Sequence, residues 1–263
     1  MNQPQIWHYG LVAQYWAEHK TDPGPELAFY ESLIHRSGQP ALDLGCGSGR
    51  LLLPLLQAGI DIDGCDISGD MIAVCREEAD KQGHNPDLYV QPLHALDLRR
   101  KYQTIFATGT VGLGGKHRLT LKGFERCFEH LLPDGIFAFD YVARWNDPPA
   151  WSSRLPENRG FGDWWGSEDR IPMSDGTELV MHSRVLGTDP LENVVDRQIR
   201  VQQWQGEEMI AEEVHNQKLD DYSKNELVLM LERAGFANIR IFGDFSDKPA
   251  TAVHDNLVFV AKK

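Results

Sequence analysis

The amino-acid sequence predicts an α/β protein: a doubly wound, mostly parallel sheet of seven strands, with an antiparallel β meander inserted after the fifth strand. Three observations predict it. The stretch 41–66, ALDLGCGSGRLLLPLLQAGIDIDGCD, reads as strand, glycine-rich turn, helix and strand. Extended apolar runs then alternate with helical patterns up to residue 141, which implies parallel strands joined by right-handed crossovers. From residue 144 the pattern changes to a loop and then to three extended runs, before a helix and two strands close the chain.

Residues 1–38 read as a helical cap rich in aromatics, with Trp7, Tyr9, Tyr15 and Trp16 close together. Asp22-Pro23-Gly24-Pro25 interrupts it, and a second helix over 26–36 carries Leu27, Phe29, Tyr30, Leu33 and Ile34 at helical spacing. The main domain takes in 39–143 and 219–263. Its first strand is 41–44, and the helix that follows spans 48–58. Pro54 lies past the first turn of that helix, where a missing N–H predicts a late or bent start. The second strand is 62–66. Ser68 caps a helix over 70–82 that Gly83 stops. The third and fourth strands are 88–91 and 104–107. A glycine-rich loop over 108–115 leads to a helix over 119–132, and Pro133-Asp134-Gly135 turns the chain into the fifth strand, 136–141.

The insertion, 144–218, opens with a loop-like segment holding Trp145, Trp151, Trp164 and Trp165. Its extended runs are separated by Thr188-Asp189-Pro190 and by Gln205-Gly206, the turn signals of a meander. Ser223 and Glu226 have capping-box spacing at the head of a helix that Gly235 ends, and strands over 238–242 and 257–261 follow.

Composition narrows the partners. Lys and Arg number 26 against 39 Asp and Glu, a net charge of −13, and a phosphate backbone is repelled by that excess. No nucleic acid is therefore expected as substrate. The four cysteines show no C-x-x-C pairing and sit in apolar strand or helix patterns, as small core residues of a reducing compartment do. No metal site is expected. The first ten residues lack a basic region and an apolar core, and no apolar run approaches about 18 residues, so neither a signal peptide nor a membrane span is expected. The expected location is the cytoplasm, and the expected assembly a monomer or a homodimer.

The chemistry is concentrated around the first glycine turn. Gly45, Gly47 and Gly49 let the backbone approach a ligand closely, and a helix N-terminus behind them offers unpaired N–H groups. Asp66, 17 residues after Gly49, closes the second strand, where a carboxylate accepts both hydroxyls of a ribose. A dinucleotide site shows G-x-G-x-x-G, whereas this loop is G-x-G-x-G, with Asp43 two residues before it. An acid facing the loop repels a pyrophosphate and suits a ligand carrying an ammonium or sulfonium centre. The ligand read from these residues is S-adenosylmethionine, and an NAD-type oxidoreductase is disfavoured.

LDLGCGSGR followed by GCDIS and GDMI resembles the first motifs of class I S-adenosylmethionine-dependent methyltransferases. The likeness extends through VQPLHALDL, LLPDGIFAFD and YSKNELVLMLERAGF to LVFVAKK, so it spans nearly the whole chain outside 145–218. The insertion and the tyrosines near the N-terminus are most similar to the small-molecule branch, such as sugar N,N-dimethyltransferases and glycine N-methyltransferase. The resemblance implies a Rossmann-like sheet with strand 7 antiparallel, S-adenosyl-L-methionine as cofactor, and methyl transfer to N or O of a small molecule. It further implies that Gly45, Cys46 and Gly47 pack on the methionine part and Asp43 lies near its amino end. Asp66 would hold the ribose, Ile67 and Met71 one side of the adenine, and Leu93 and His94 the other. Thr108 would border the sulfonium, and Tyr9 and Tyr15 would close over the cofactor.

The residues do not identify a catalytic base. His117, His182 and His215 are the candidates, and an acceptor already poised for attack needs none. The small, neutral loop ATGTVGLGG suits a bulky or apolar acceptor, with the segment around Trp164 and Trp165 as its lid. The competing reading is a protein that binds S-adenosylmethionine or S-adenosylhomocysteine without catalysis.

Overall fold

A computed structural model describes residues 8–114, 116–142, 151–152, 154–158, 162–164, 166 and 170–263. In order, the elements are α1 (Gly10–His19), α2 (Gly24–Ser37), β1 (Ala41–Leu44), α3 (Leu52–Gln57), β2 (Ile62–Asp66), α4 (Gly69–Lys81), β3 (Leu88–Val90), β4 (Tyr102–Ala107), α5 (His117–His130) and β5 (Leu131–Val142). Then come β6 (Ile171–Pro172), β7 (Glu178–Asp189), β8 (Val194–Gln205), β9 (Glu208–Asp220), α6 (Lys224–Ala234), β10 (Ala237–Gly243) and β11 (Asn256–Lys262).

The main sheet has seven strands in the order β10-β11-β5-β4-β1-β2-β3, and only β11 runs against the rest. Alternation along each strand sends neighbours to opposite faces. Ile105, Phe137, Phe139, Leu257 and Phe259 join Phe124, Leu227 and Leu231 under α5 and α6. Phe106, Ala138 and Val258 join Tyr30, Ile34, Leu52 and Leu55 under α2 and α3. Both faces are covered, so β1 and β2 are buried throughout, as central parallel strands are.

The insertion forms a second, antiparallel sheet in the order β6-β7-β8-β9. Leu11, Val12 and Tyr15 of α1 pack on Leu179, Ile199 and Val201 of that sheet. Its last strand is tied to the loop after β4: Gly114 N–H donates to Lys218 O at 2.9 Å and Asp220 N–H donates to Gly112 O at 2.8 Å.

The local signals behave as their chemistry dictates. Ser68 accepts the Met71 N–H, Ser223 and Glu226 form a reciprocal capping box, and Gly235 ends α6 in the left-handed region. The helix after β1 differs from the 48–58 expectation: it begins only at Leu52, with turns before it. That places Pro54 in the first turn, where its missing N–H leaves no hydrogen bond unmade. Pro133-Asp134-Gly135 does not separate helix from strand, because β5 already starts at Leu131 and contains it.

Gly64 on β2 is a position of close approach. A Cβ there would lie 2.7 Å from Leu88 Cδ2 and 2.9 Å from Cys46 Sγ. Gly64→Ala is expected to destabilise the fold by about 1–3 kcal/mol through overpacking, read as a lowered urea midpoint.

Candidate active site

The strand order reverses at β1, between β4 and β2, and the crevice at the carboxyl ends of the strands there is where an open α/β sheet binds ligands. A cavity of about 1910 Å³ opens at this place. Its walls come from the glycine loop, the ends of β2, β4 and β5, the N-terminal segment and strands β8 and β9.

The loop lies against the sheet because Gly45 and Cys46 N–H both donate to Cys65 O, at 2.7 and 3.2 Å. Gly45, Gly47 and Gly49 all have positive φ, and a Cβ at Gly45 would overlap the Thr110 hydroxyl. Asp66 accepts Gly47 N–H at 2.9 Å on one oxygen and Ser68 N–H at 2.8 Å on the other. One carboxylate thus ties the loop to the head of α4. Burial raises the Asp66 carboxyl above its ordinary range, against the pull of those N–H donors.

Alternation along β1 and β5 puts Asp43 and Asp140 on the α2/α3 face, and both border the cavity. Burial pushes Asp43 up to about 8, with Arg50 opposing the shift and Asp66 adding to it. Burial also pushes Asp140 up to about 6, while the Gly109 N–H, 3.0 Å away, pulls it down. The nearby cation is Arg50, whose guanidinium is held 3.3 Å from Glu26 and donates to the Asp22 and Pro23 carbonyls. Asp43, Asp66 and Asp140 are therefore buried at the cavity wall, and Arg50 is the cation that opposes the upward shifts of Asp43 and Asp140.

Asp43, Gly45, Cys46, Gly47, Asp66, Ile67, Met71, Leu93, His94 and Thr108 all line this one cavity. Other expectations are placed elsewhere. Tyr15 is buried between α1 and the second sheet, and Tyr9 packs edge-on against His215 with ring centroids 4.4 Å apart, so both lie off the cavity wall. From this segment the cavity is bordered instead by His8, which burial and then His215 push down to about 4, and by Trp16. The segment is anchored by Gly10 N–H on Asp70 and Leu11 N–H on Glu213, each 2.9 Å, and by the Ser68 hydroxyl on His8 O.

None of the three candidate histidines lines the cavity. His117 contacts Glu192 O at 2.7 Å, His182 pairs with Arg200 at 3.4 Å, and His215 lies 3.1 Å from Glu213. Trp164 packs against the Arg184 and Arg200 guanidiniums, at 4.4 and 4.5 Å, and does not border the cavity. Trp145 and Trp165 lie outside the described residues. Sequence reasoning missed Arg50, Asp140, Arg197, Gln217 and Asp220, all on the cavity wall. Asp140 had a readable signal, an acid at the carboxyl end of an otherwise apolar strand.

Residues 41–135 match the methyltransferase domain family. A methyltransferase-like protein of Geobacillus sp. (strain WCH70) is 24% identical over 264 residues, covering 95% of this chain and 97% of its own. The ubiquinone biosynthesis O-methyltransferase of Rhodopseudomonas palustris (strain BisB5) is 30% identical over 175 residues, 60% of this chain and 61% of its own. Among solved structures, an S-adenosylmethionine-dependent methyltransferase from Clostridium acetobutylicum ATCC 824 superposes with a TM-score of 0.71 at 17% identity, over 94% of this chain and 95% of its own. The sugar N-methyltransferase KedS8 from Streptoalloteichus sp ATCC 53650 does so with a TM-score of 0.71 at 15% identity, over 100% and 98%. At such identities the structural likeness establishes the fold. Residues 41–135 are thus a methyltransferase domain, and with its glycine-loop site the chain is an S-adenosylmethionine-dependent methyltransferase.

Asp66→Ala is expected to weaken S-adenosylmethionine binding by at least about tenfold in isothermal titration, a loss of about 1.4 kcal/mol.

Proposed function

We propose that this enzyme transfers the methyl group of S-adenosylmethionine to a nitrogen or oxygen atom of a small-molecule acceptor held between the main sheet and the second sheet. The observation that carries the reading is the set of three buried carboxylates, Asp43, Asp66 and Asp140, around one cavity. Buried acids without full compensation are costly, and a cationic ligand relieves that cost. A dinucleotide pyrophosphate would add to it.

In this reading Asp66 holds the ribose hydroxyls. Ile67 and Met71 cover one face of the adenine, with Leu93 and His94 across from them. Gly45, Cys46 and Gly47 give the methionine portion room against the main chain. Asp43 serves the ammonium end. Asp140, through the Gly109 N–H, fixes the loop after β4, and Thr108 on that loop borders the sulfonium. When bound, S-adenosylmethionine supplies an electrophilic methyl carbon on a positively charged sulfur. The acceptor atom must be brought in line with that carbon, and alignment provides the catalysis. His117, His182 and His215 lie off the cavity wall, and an acceptor atom that enters with its lone pair available, as a neutral amine does, needs none of them. Relatives of known acceptor favour the same chemistry: the dTDP-3-amino-3,6-dideoxy-alpha-D-glucopyranose N,N-dimethyltransferase of Streptomyces fradiae is 29% identical over 144 residues.

Incubation with methyl-labelled S-adenosylmethionine and a deproteinised small-metabolite extract is the direct test. Label should appear in a small-molecule fraction. Tight cofactor binding with no transfer to any fraction would refute the proposal.

The acids also set a pH dependence. Asp43 and Asp140, raised to about 8 and about 6, hold protons in the folded protein at pH values where the unfolded chain has released them. Stability of the ligand-free protein therefore falls as pH rises through this window. A cation favours the ionised acids, so its binding expels protons. S-adenosylmethionine affinity should rise from about pH 6 to about pH 7.5, with net proton release in titrations repeated in buffers of different ionisation enthalpy. Proton uptake would contradict the placement of the acids.

A further inference from the structure

The cavity extends past the donor-binding half to a wall made by β8 and β9, and that wall carries an incomplete hydrogen-bonding arrangement. Gln217 on β9 is only 3% exposed and borders the cavity, yet its side-chain oxygen has no hydrogen-bond partner among the described residues. A buried amide oxygen left unpaired costs about 1–3 kcal/mol, and no group among the described residues uses it.

Its surroundings define what would pair with it. Arg197 on β8 stands directly opposite Gln217 in the ladder and also borders the cavity. Its guanidinium donates to Ser183 Oγ at 3.1 Å. Asp220, three residues along β9 and 4% exposed, accepts the Lys116 N–H at 3.2 Å and faces His117 Nδ1 at 3.8 Å. Arg197 and Gln217 thus share one face of the β8–β9 ladder at this wall, and Asp220 borders the same cavity from the end of β9. This wall is not free to drift from the donor half, because β9 is bonded to the loop after β4 through Gly112 and Gly114.

We infer that Gln217, with Arg197 opposite it, is a specificity-determining pair of the acceptor subsite, and that this subsite takes a hydroxylated small molecule. A hydroxyl both donates and accepts, so it can satisfy the Gln217 oxygen or the Asp220 carboxylate while receiving the Arg197 guanidinium. An apolar aromatic acceptor would leave the Gln217 oxygen buried and unpaired, and a site of this kind rejects ligands that lack the hydrogen-bonding group. The small, neutral loop after β4 suits a bulky or apolar acceptor, and the polar wall facing it favours the bulky, hydroxylated kind. The inference rests on the methyl-transfer reading above and adds to it the chemical class of the acceptor.

Gln217→Leu tests it, because leucine is of similar size and removes the unpaired oxygen. If that oxygen is kept for a ligand, the ligand-free variant should melt about 2 °C or more above the wild type. A variant that melts at or below the wild-type temperature overturns the inference, since Gln217 would then serve the fold. The second arm uses protein saturated with S-adenosylhomocysteine and two probes at millimolar concentration, glucosamine and cyclohexylamine. Glucosamine should raise the melting temperature of the wild type and not of the variant, and cyclohexylamine should not distinguish the two proteins. Equal shifts with glucosamine in both proteins, or no shift in either, overturn the acceptor class while leaving donor binding intact. Failure of the wild type to bind S-adenosylmethionine or S-adenosylhomocysteine at all would instead overturn the methyl-transfer reading and this inference with it.

Discussion

The site depends on one carboxylate. Asp66 ends β2, and its two oxygens take the N–H groups of Gly47 and Ser68. The first bond holds the glycine loop in its positive-φ path, and the second fixes the start of α4, where Ser68 caps the helix. Ser68 in turn anchors the N-terminal segment through His8 O. Three parts of the cavity wall, from distant points in the chain, therefore meet around a single buried acid.

The cavity gathers the charge that composition only hinted at. A net charge of −13 spread over a surface says little about function. Asp43, Asp66 and Asp140 buried around one cavity, with Arg50 engaged by Glu26, say much more. The sheet produces this grouping. β1 and β5 each end in the crevice, and their alternation delivers Asp43 and Asp140 to the same face, beside the loop that Asp66 holds. The second sheet then completes the enclosure. Its strand β9 is bonded to the loop after β4, so the wall opposite the donor half is built on the same loop that borders it.

What could be read from the sequence was what is local. The glycine loop, Asp66 at its spacing, the Ser68 cap, the Ser223–Glu226 capping box and the alternation of strands and helices all lie within short windows, where one residue's chemistry dictates its neighbour's geometry. The late start of α3 was legible too, since Pro54 marks it. The acceptor wall was not. Arg197 and Gln217 meet only because β8 and β9 pair in one register, and a shift of β9 by one residue would turn Gln217 away from Arg197's face. Tyr9 and Tyr15 were misleading for a related reason. They have the composition of a lid, but α1 rotates its apolar face onto the second sheet and carries Tyr15 into that packing, leaving His8 and Trp16 on the cavity. Trp164 has the look of a substrate contact, yet it packs against two arginines of that sheet. Arg50 follows the glycine loop directly, but its tie to Glu26 spans 24 residues and is visible only in the fold.

The most direct test of the central claim, that this acidic cavity is the methyl-donor site, is a crystal structure of the protein with S-adenosylhomocysteine. The expected result is a ligand with its ribose hydroxyls on the Asp66 carboxylate, its amino group toward Asp43, and its sulfur facing the wall that carries Gln217. A ligand bound outside this cavity, or inside it with the ribose away from Asp66, would contradict the account.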